Sequence, residues 1–598
     1  MNALPSQSAG RRLPFAIAAA VTIVATVAIY WPALGTGFLG DDFMILHRLR
    51  GLGHAADILR FFRGEFFEYY RPLAFVSHAI DWARAGQNPR AFHFTNLLIH
   101  IVNTILVLLI GLRLSPRPLA GLVAAGLFAL HASNNEAVVW ISARFDLLAA
   151  CFALAALSCM MRAQLVGQVG AAALFFLALL SKEAAVALPI AAAAWFTFRR
   201  HATTAQTVVL VLPWLAALGA YSALRSVAGG VSAVGGASRV PKLVAFLVCL
   251  AVIVSLSSGR WIQVREWLRP RRTQCAALAL TVVLALLFAA VLSSGSVGSL
   301  AREKLAVAGF ATFYLGSPVL TPGEAVFSDP TAAPAAWIAG AVALVAVIVV
   351  IYILWRRLLD DDRYWFLAAL LVATLLPISA LTEGKRYLYL PSAATALLVA
   401  VLVAELTERG RRVALTVVGV VLAVSTIQIA ARIQDWRWAG QMTSAGAQLV
   451  DSTLAPSCGT GHVVFLTSPV GMRGVYSHFY YETFEIPRGC MPEVFQVLVR
   501  VVRIETPIHV TWDGPGRIVI TSSPYRDNFV LSHDLREFDV PLRADALVSM
   551  DTPLGHVNAD VSGGEARVVL TLDSEVQREP ARFFFYADGA IASSGPPR

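Results

Sequence analysis

Charged residues are scarce in this chain. Only 14% of its 598 residues are Asp, Glu, Lys or Arg, whereas a soluble globular protein carries about a quarter. Hydrophobic residues make up 57% of the sequence, and the mean hydropathy is +0.66. This composition excludes an ordinary soluble protein and predicts a chain with many membrane spans.

The sequence also lacks internal repeats, low-complexity tracts and any cluster of His or Cys with the spacing of metal ligands. No structural zinc site is therefore predicted. Acidic residues at a membrane rim can still hold Mg²⁺ or Mn²⁺, which leaves a divalent cation open as a cofactor.

Long hydrophobic runs recur from Leu13 to Ala431. A helix of about 20 apolar residues crosses a bilayer, and on this basis we predict a polytopic α-helical membrane protein. The predicted spans cover residues 13–34, 93–112, 119–131, 138–160, 166–181, 184–198, 207–224, 242–258, 275–293, 335–354, 364–381, 388–405 and 413–430. The short segments 119–131 and 166–181 fit a tilted or partly re-entrant helix as well.

The net charge of +10 follows from membrane topology and not from a nucleic-acid partner. If the spans alternate in direction, the arginine-rich connections fall on one side, as the positive-inside rule requires. These connections contain Arg11 and Arg12, Arg113 and Arg117, Arg162, Arg199 and Arg200, Arg260 to Arg272, Arg356 and Arg357, and Arg409 to Arg412. The N-terminus is then cytoplasmic and the C-terminus extracytoplasmic. Richness in arginine and alanine with few lysines favours a bacterial inner membrane.

Two domains are predicted. Residues 1–431 form the membrane domain, with a long external loop at 35–92 and a second external segment at 294–334. Residues 432–598 form an extracytoplasmic β-rich domain, because HVVFLT, QVLVRVVRI, HVTW, RIVITS, RVVLTL and RFFFYA have the composition of short strands. Cys458 and Cys490 are the only cysteines of this second domain, and a disulfide between them is expected.

An acidic pair, Asp41 and Asp42, follows the first span in the stretch GTGFLGDDFMI. Two carboxylates at the mouth of a span lose hydration and repel each other, so such a pair indicates function. The alternative is structural, with the aspartates capping a helix at the membrane surface.

Further ionisable residues lie at predicted external helix ends. In chain order they are His131, Glu136, Arg144, Asp146, Lys182, Glu183, Glu383, Lys385 and Arg386. Arg144 and Asp146 either clamp two helices or contribute to a site. A basic pair such as Lys385 and Arg386 opposes the positive-inside trend, which favours binding of a lipid phosphate. The alternative is that these two side chains anchor the helix end in the membrane, with their charged groups reaching the membrane–water interface.

Carboxylates and cations on one face suit glycosyl transfer from a polyprenyl-phosphate sugar. Cations stabilise the negative charge that develops on the phosphate as the sugar–phosphate bond breaks, and a carboxylate takes the proton of the acceptor hydroxyl. A single displacement of this kind inverts the anomeric centre, as in inverting glycosidases.

Five blocks of sequence strengthen this interpretation. YYRPLAFVSHAIDW, NPRAFHFTNLLIHIVNTILV, HASNNEAVVWISARFDLLAA, LLSKEAAVALP and EGKRYLYLPSAA resemble, in the same order, the transmembrane and tetratricopeptide-repeat O-mannosyltransferases and their bacterial relatives. The resemblance implies a GT-C fold and a lipid-phosphate sugar donor. It covers the membrane domain only, since residues 432–598 show no 34-residue repeat.

The resemblance also implies roles for individual residues. Asp41 or Asp42 would be the catalytic base, Glu136 a second acidic site residue and Arg386 a ligand of the donor phosphate. Lys385, Arg71 and Lys182 are further candidate phosphate ligands. The blocks contain other candidate site residues, namely His93, His131, Glu183, Glu383 and Tyr387.

Two questions stay open at this level. A multispan transporter or lipid flippase with a periplasmic cap is the alternative function, although a transporter favours ionisable residues at the bilayer midplane. The acceptor is a protein, a glycolipid or an envelope polysaccharide, and the β-rich domain either selects it or braces the external loops.

Overall fold

The structure of the chain is a computed structural model. It describes residues 9–52, 55–64, 70–162, 165–228, 239–292, 296–320, 334–378 and 384–454, and in the tail 462–469, 471–472, 475–476, 494–501, 508–514, 516–523, 529–531, 540–542, 547–552, 554–574, 582–587 and 590–594. Glu383 and the predicted Cys458–Cys490 disulfide lie outside these residues.

Helices dominate the first part of the chain. They are α1 Ala9–Tyr30, α2 Asp41–Arg50, α3 Leu59–Phe62, α4 Pro72–Ala85, α5 Pro89–Leu114, α6 Pro118–Ala129, α7 Asn135–Val139, α8 Arg144–Met160, α9 Leu165–Ser181, α10 Leu188–Ala194, α11 Thr204–Val227, α12 Arg239–Ser255, α13 Arg260–Leu268, α14 Arg272–Leu292, α15 Ser296–Gly316, α16 Pro334–Asp360, α17 Asp362–Leu375, α18 Tyr389–Ala404 and α19 Glu408–Leu454.

Eight helical segments within the described residues are long and apolar enough to cross a membrane. They are Leu13–Gly35, Pro89–Leu114, Ile141–Met160, Thr204–Val227, Arg260–Val291, Ala335–Asp360, Lys385–Ala404 and Glu408–Leu449. Three shorter apolar helices accompany them at Pro118–Ala129, Gly167–Ser181 and Phe246–Ser255. Each of the thirteen predicted spans overlaps a helix, but the number of spans stays a prediction. The predicted class, a helical membrane protein with a β-rich C-terminal domain, is confirmed.

Helix α15 lies in the segment 294–334, which the sequence predicts to be external, and is a correction to that prediction. It packs against α14 and α16, and small residues let the backbones approach closely. A Cβ added to Gly340 of α16 would overlap the carbonyl oxygen of Leu305 in α15. A side chain larger than hydrogen is therefore excluded at this crossing.

The chain divides into two compact units. The first comprises residues up to Leu34 together with Leu52–Arg432, and the second comprises Gly35–Gly51 together with the chain from Ile433 onward. The acidic pair therefore belongs to the second unit, while Glu136 and Arg386 belong to the first.

In the first unit, a buried polar stripe on α5 joins four helices. His100 donates from Nε2 to the carbonyl oxygen of Ala129 in α6 at 3.0 Å, so its Nδ1 accepts the hydroxyl of Tyr389 in α18 at 2.7 Å. Asn103 donates to the same hydroxyl at 3.1 Å and to the carbonyl oxygen of Leu147 in α8 at 3.0 Å. Buried hydrogen-bond networks of this kind fix one packing arrangement, and here they align helix ends that carry charged residues.

The second unit contains two main β-sheets. Its strands are β1 His462–Pro469, β2 Gly471–Met472, β3 Val475–Tyr476, β4 Val494–Val501, β5 Ile508–Trp512, β6 Arg517–Ser522, β7 Phe529–Leu531, β8 Val540–Leu542, β9 Leu547–Thr552, β10 Gly555–Ser562, β11 Glu565–Leu572, β12 Arg582–Ala587 and β13 Ala590–Ser594. A six-stranded sheet has the order β13-β12-β1-β4-β7-β8, with β1 parallel to β12 and β4. An antiparallel five-stranded sheet has the order β5-β6-β11-β10-β9.

Both sheets contribute to one apolar core. It joins Leu466 and Phe583 of the first sheet with Ile520, Val557 and Leu570 of the second. Inward Val557, Ala559 and Val561 alternate with more exposed residues along β10, which is the period-two pattern of a half-buried strand.

The acidic pair begins helix α2, also in the second unit. Asp41 and Asp42 occupy its first turn, where the helix macrodipole stabilises carboxylates. Asp42 is buried and accepts the backbone N–H of Leu39 at 3.0 Å. The preceding turn packs closely on α19, because a Cβ on Gly440 would lie 2.7 Å from the backbone nitrogen of Gly37.

Candidate functional site

Short helical turns connect the long helices at one end of the first unit. The segment between α6 and α8 contains a 3₁₀ turn at Ala132–Asn134, the helix α7 and a second 3₁₀ turn at Ile141–Ala143. Similar turns occur at Glu183–Ala185 after α9 and at Lys385–Leu388 before α18. These breaks bring side chains from three parts of the sequence to the same end of the helices.

Glu136 and Arg386 form the first ion pair at this end. Oε1 of Glu136 lies 2.5 Å from Nη1 of Arg386, and Oε2 accepts the backbone N–H of Lys385 at 2.8 Å. Their side chains are 12% and 18% exposed, so the pair is held partly out of water. The Arg386 guanidinium also lies over the ring of Trp140, 4.6 Å from its centroid.

Gly384 permits this geometry. Its φ of 150° is one that side chains rarely adopt. An added Cβ would overlap Nη1 of Arg386 and would lie 3.1 Å from Oε1 of Glu136. The glycine is thus required by the ion pair and not only by the turn.

Lys182 and Asp146 form the second ion pair. Nζ of Lys182 lies 2.6 Å and 2.7 Å from the two carboxylate oxygens of Asp146. The same ammonium lies 4.4 Å from the centroid of the Tyr387 ring, and the Arg386 guanidinium lies 4.8 Å from that centroid. Tyr387 therefore links the first two ion pairs.

Arg71 and Glu183 form the third ion pair. The guanidinium donates from Nε at 3.1 Å and from Nη2 at 2.7 Å, which is the bidentate arrangement. Glu183 follows Lys182 in the chain, and Arg71 also interacts electrostatically with Asp146 and Tyr387. We call these six charged residues and Tyr387 the ion-pair cluster.

The pKa of Glu183 reports the strength of its pairing. Burial raises this pKa, but the charge and hydrogen bonds of Arg71 outweigh burial and lower it from 4.5 to about 2. Because the folded-state pKa is depressed, this pairing stabilises the fold above the unfolded pKa, and the stabilisation is lost as pH falls from about 4.5 to 2.

We expect a corresponding pH dependence of stability. The melting temperature of Glu183→Gln should lie below that of the native chain at pH 6, and the difference should shrink toward zero as pH approaches 2. The matched control is Glu408→Gln, which removes an exposed pair with Arg412 and should change the melting temperature little. Thermal unfolding of the full chain in detergent measures both. A difference that stays constant from pH 6 to pH 2.5 would contradict the assigned pairing.

Arg144 and Asp146 do not pair with each other. Arg144 instead forms a buried ion pair with Asp81 of α4 at 2.6 Å and donates to Oδ1 of Asn96 at 2.8 Å. Its Nη2 donates to the carbonyl oxygen of Phe92 at 2.7 Å. Arg144 therefore pairs with α4 and α5, whereas Asp146 pairs with Lys182 after α9.

The two candidate histidines have different surroundings. Nε2 of His131 donates to the carbonyl oxygen of Leu315 at 3.2 Å, and Nδ1 accepts the hydroxyl of Ser133 at 2.7 Å. Burial lowers the pKa of His131, although its hydrogen bond to the carbonyl oxygen of Leu315 opposes this shift. His93 is buried within α5.

Among the described residues, no three His, Cys, Asp or Glu side chains are grouped as a metal site requires. The divalent cation stays a prediction.

Lys385 lies beside the ion-pair cluster, with its ammonium 5.6 Å from the centroid of the Tyr314 ring. Of the candidate site residues predicted from the sequence, the structure groups Glu136, Arg386, Lys182, Glu183 and Arg71 in the first unit.

Several residues of this region were not singled out from the sequence. Gly384, Trp140, Asp81 and Asn96 each fix the position of a charged side chain. The i, i+4, i+7 spacing of Asn96, His100 and Asn103 inside a span was a usable signal, because polar groups in a membrane helix face the interior.

Sequence comparison identifies relatives of this chain. Protein O-mannosyl-transferase Tmtc1 of Drosophila melanogaster is 30% identical over 141 residues, which are 22% of this chain and 16% of that protein. The chain is similar to protein O-mannosyl-transferases. Protein O-mannosyl-transferase TMTC3 of Mus musculus is 28% identical over 148 residues, which are 23% of this chain and 16% of that protein. The resemblance inferred from the sequence blocks is confirmed.

These similarities are partial. The chain spans 16% of the length of each of these two relatives. No family model matches it. Among solved structures, the apo form of an oligosaccharyltransferase from Archaeoglobus fulgidus aligns with a TM-score of 0.43 and 12% identity, covering 77% of this chain and 63% of that chain.

Proposed function

We propose that this chain is a membrane glycosyltransferase of the GT-C type. It transfers a sugar from a polyprenyl-phosphate donor to an acceptor hydroxyl on the extracytoplasmic face. The observation that carries the proposal is the ion-pair cluster, which places Arg71, Lys182 and Arg386 at the same end of the helices of the first unit. The chain that carries this cluster is similar to protein O-mannosyl-transferases.

The donor phosphate binds at Arg386. A guanidinium offers five N–H groups in a planar fork, so it accommodates a carboxylate and a phosphate together. Glu136 holds this fork in place through Nη1. In this assignment Glu136 is a positioning residue for Arg386, and Lys182, Lys385 and Arg71 add positive potential around it.

The acceptor is activated by the acidic pair. Asp41 or Asp42 takes the proton of the acceptor hydroxyl as its oxygen attacks the anomeric carbon. The new bond joins that oxygen to the sugar, while the bond from the sugar to the phosphate oxygen breaks. The lipid phosphate leaves with the electron pair, stabilised by the cations, and the anomeric centre is inverted.

A transporter or flippase is the alternative function. Transporters place ionisable residues near the bilayer midplane in broken helices. The charged residues of the cluster instead lie where α8 and α18 begin and α9 ends, which favours chemistry at the membrane surface. We propose a bacterial inner-membrane location with the N-terminus cytoplasmic. The acceptor is a protein, a glycolipid or an envelope polysaccharide, and the β-rich domain either selects it or braces the external loops.

The experiment that tests this function uses the purified full chain in nanodiscs. The probe is undecaprenyl-phosphate mannose with a labelled sugar, added with an envelope extract as acceptor. We expect label to move from the lipid to the acceptor and undecaprenyl phosphate to be released. Movement of intact labelled lipid between leaflets of liposomes, without bond cleavage, would establish the transporter and contradict the proposal.

A further inference from the structure

A cavity of about 550 Å³ lies in the first unit, away from the ion-pair cluster. It is formed where α8 ends, where α9 begins, and between α10 and the start of α11. Helix α9 runs from this cavity to Lys182, and a helix of its length spans about 25 Å. The cavity is therefore separate from the proposed donor site and lies at the opposite end of the helices.

The cavity is positively charged. Arg162 and Arg200 both line it and both are exposed. No carboxylate is among the described residues of its wall. Two guanidiniums without a lining acid form a site for a singly charged phosphate, which each can bind through parallel N–H groups.

Gln168 also lines the cavity and carries a buried acceptor. Gln168 is 2% exposed, and its Nε2 donates to the carbonyl oxygens of Met160 at 3.0 Å and Arg162 at 3.1 Å. These two bonds fix the orientation of the amide. Oε1 is buried with no hydrogen-bond partner among the described residues. A buried acceptor without a donor is costly, so this atom indicates a ligand that carries an N–H or O–H group.

Apart from Gln206, whose Oε1 accepts the backbone N–H of Thr203, the remaining wall is apolar. Val209 and Leu210 lie on α11, a candidate membrane span, and the buried Phe196 also lines the cavity. Val209 is 57% exposed, as a lipid-facing residue is. A ligand in this cavity therefore meets cations, one acceptor and a hydrocarbon surface together.

We propose that this cavity binds one glycerophospholipid whose headgroup carries a hydrogen-bond donor. The phosphodiester lies between Arg162 and Arg200, the ammonium or hydroxyl of the headgroup donates to Oε1 of Gln168, and the acyl chains follow α11. Phosphatidylethanolamine has all three features. Phosphatidylcholine has the same phosphate but no N–H group, and glycerophosphoethanolamine has the headgroup without acyl chains.

Native mass spectrometry of the delipidated full chain tests the assignment. We expect one saturable phosphatidylethanolamine per chain, bound at least fivefold more tightly than phosphatidylcholine. Glycerophosphoethanolamine at the same concentration should not displace it. Equal binding of both lipids would overturn the role of Gln168, and displacement by glycerophosphoethanolamine would show a site for soluble phosphodiesters and overturn the lipid assignment.

Variants complete the test. The double variant Arg162→Ala with Arg200→Ala should weaken phosphatidylethanolamine binding at least tenfold. Gln168→Met should make the two lipids bind equally. The matched control, Arg356→Ala with Arg357→Ala, removes two arginines at the end of α16 and should leave binding within twofold of native. Native-like binding by the first double variant, or equal loss in the control, would overturn the proposal.

Discussion

The double variant Asp41→Asn with Asp42→Asn should lose at least 99% of sugar transfer while the chain stays folded. Removing a general base costs about 10²- to 10⁴-fold in rate, because an amide cannot take the proton of the acceptor hydroxyl. The fold should survive, since the amide oxygen introduced by Asp42→Asn can still accept the N–H of Leu39 that Asp42 binds at 3.0 Å. A small decrease in melting temperature is expected, because two carboxylates leave the first turn of α2.

The single variants Asp41→Asn and Asp42→Asn show which of the two carboxylates is the base. The variant that lacks the base should behave like the double variant, and the other should retain measurable transfer. Asp560→Asn is the matched control, because it changes a half-buried aspartate of β10 in the same unit and should keep the native rate. The readout is the initial rate of undecaprenyl phosphate release. Retention of more than a tenth of that rate by the double variant would remove the acidic pair from the mechanism.

Arg386→Ala has the second large expected effect. It removes the proposed phosphate ligand, so the kcat/KM for the lipid donor should fall about 10²- to 10³-fold, with little change in the KM for the acceptor. Arg386→Lys should recover part of this loss, since an ammonium supplies charge without the planar fork. Arg412→Ala is the control, because Arg412 is 78% exposed and pairs only with Glu408 among the ion pairs the structure describes for it.

The effects on stability and on activity can be separated at the Glu136–Arg386 ion pair. Arg386→Ala leaves the carboxylate of Glu136, which is 12% exposed, without its cation, and should destabilise the fold by between about 1 and 3 kcal/mol. Adding Glu136→Gln should restore stability but not transfer. Gly384→Ala should lower transfer in the same direction, because its Cβ would overlap Nη1 of Arg386. An unchanged kcat/KM for the lipid donor in Arg386→Ala would identify Arg386 as a membrane anchor and contradict its role as a phosphate ligand.

Periodicity and hydropathy predicted the helices and many strands of this fold. The runs HVVFLT, HVTW, RIVITS and RFFFYA coincide with β1, β5, β6 and β12, because alternating β-branched and aromatic residues form half-buried strands. Helix α15 was missed since Arg302, Glu303 and Lys304 interrupt its apolar pattern.

The sequence singled out many residues of the ion-pair cluster, but it did not predict which of them form ion pairs with each other. The sequence indicated that Glu136, Lys182 and Arg386 lie at helix ends on one face. It did not indicate that Glu136 pairs with Arg386 across 250 residues or that Lys182 pairs with Asp146 across 36. Such pairs depend on which helices are neighbours, and a single sequence does not contain that information. The roles of Asp41, Asp42 and the cations stay predictions for the variants above.

The most direct measurement is glycan profiling of the cell envelope in the source organism. A deletion strain, the same strain carrying the native chain, and the same strain carrying the double asparagine variant are compared by mass spectrometry. We predict that one sugar is missing from one envelope molecule in the deletion strain, that the native chain restores it, and that the variant does not. An unchanged glycan profile in the deletion strain, or full restoration by the variant, would contradict a glycosyltransferase that uses Asp41 or Asp42.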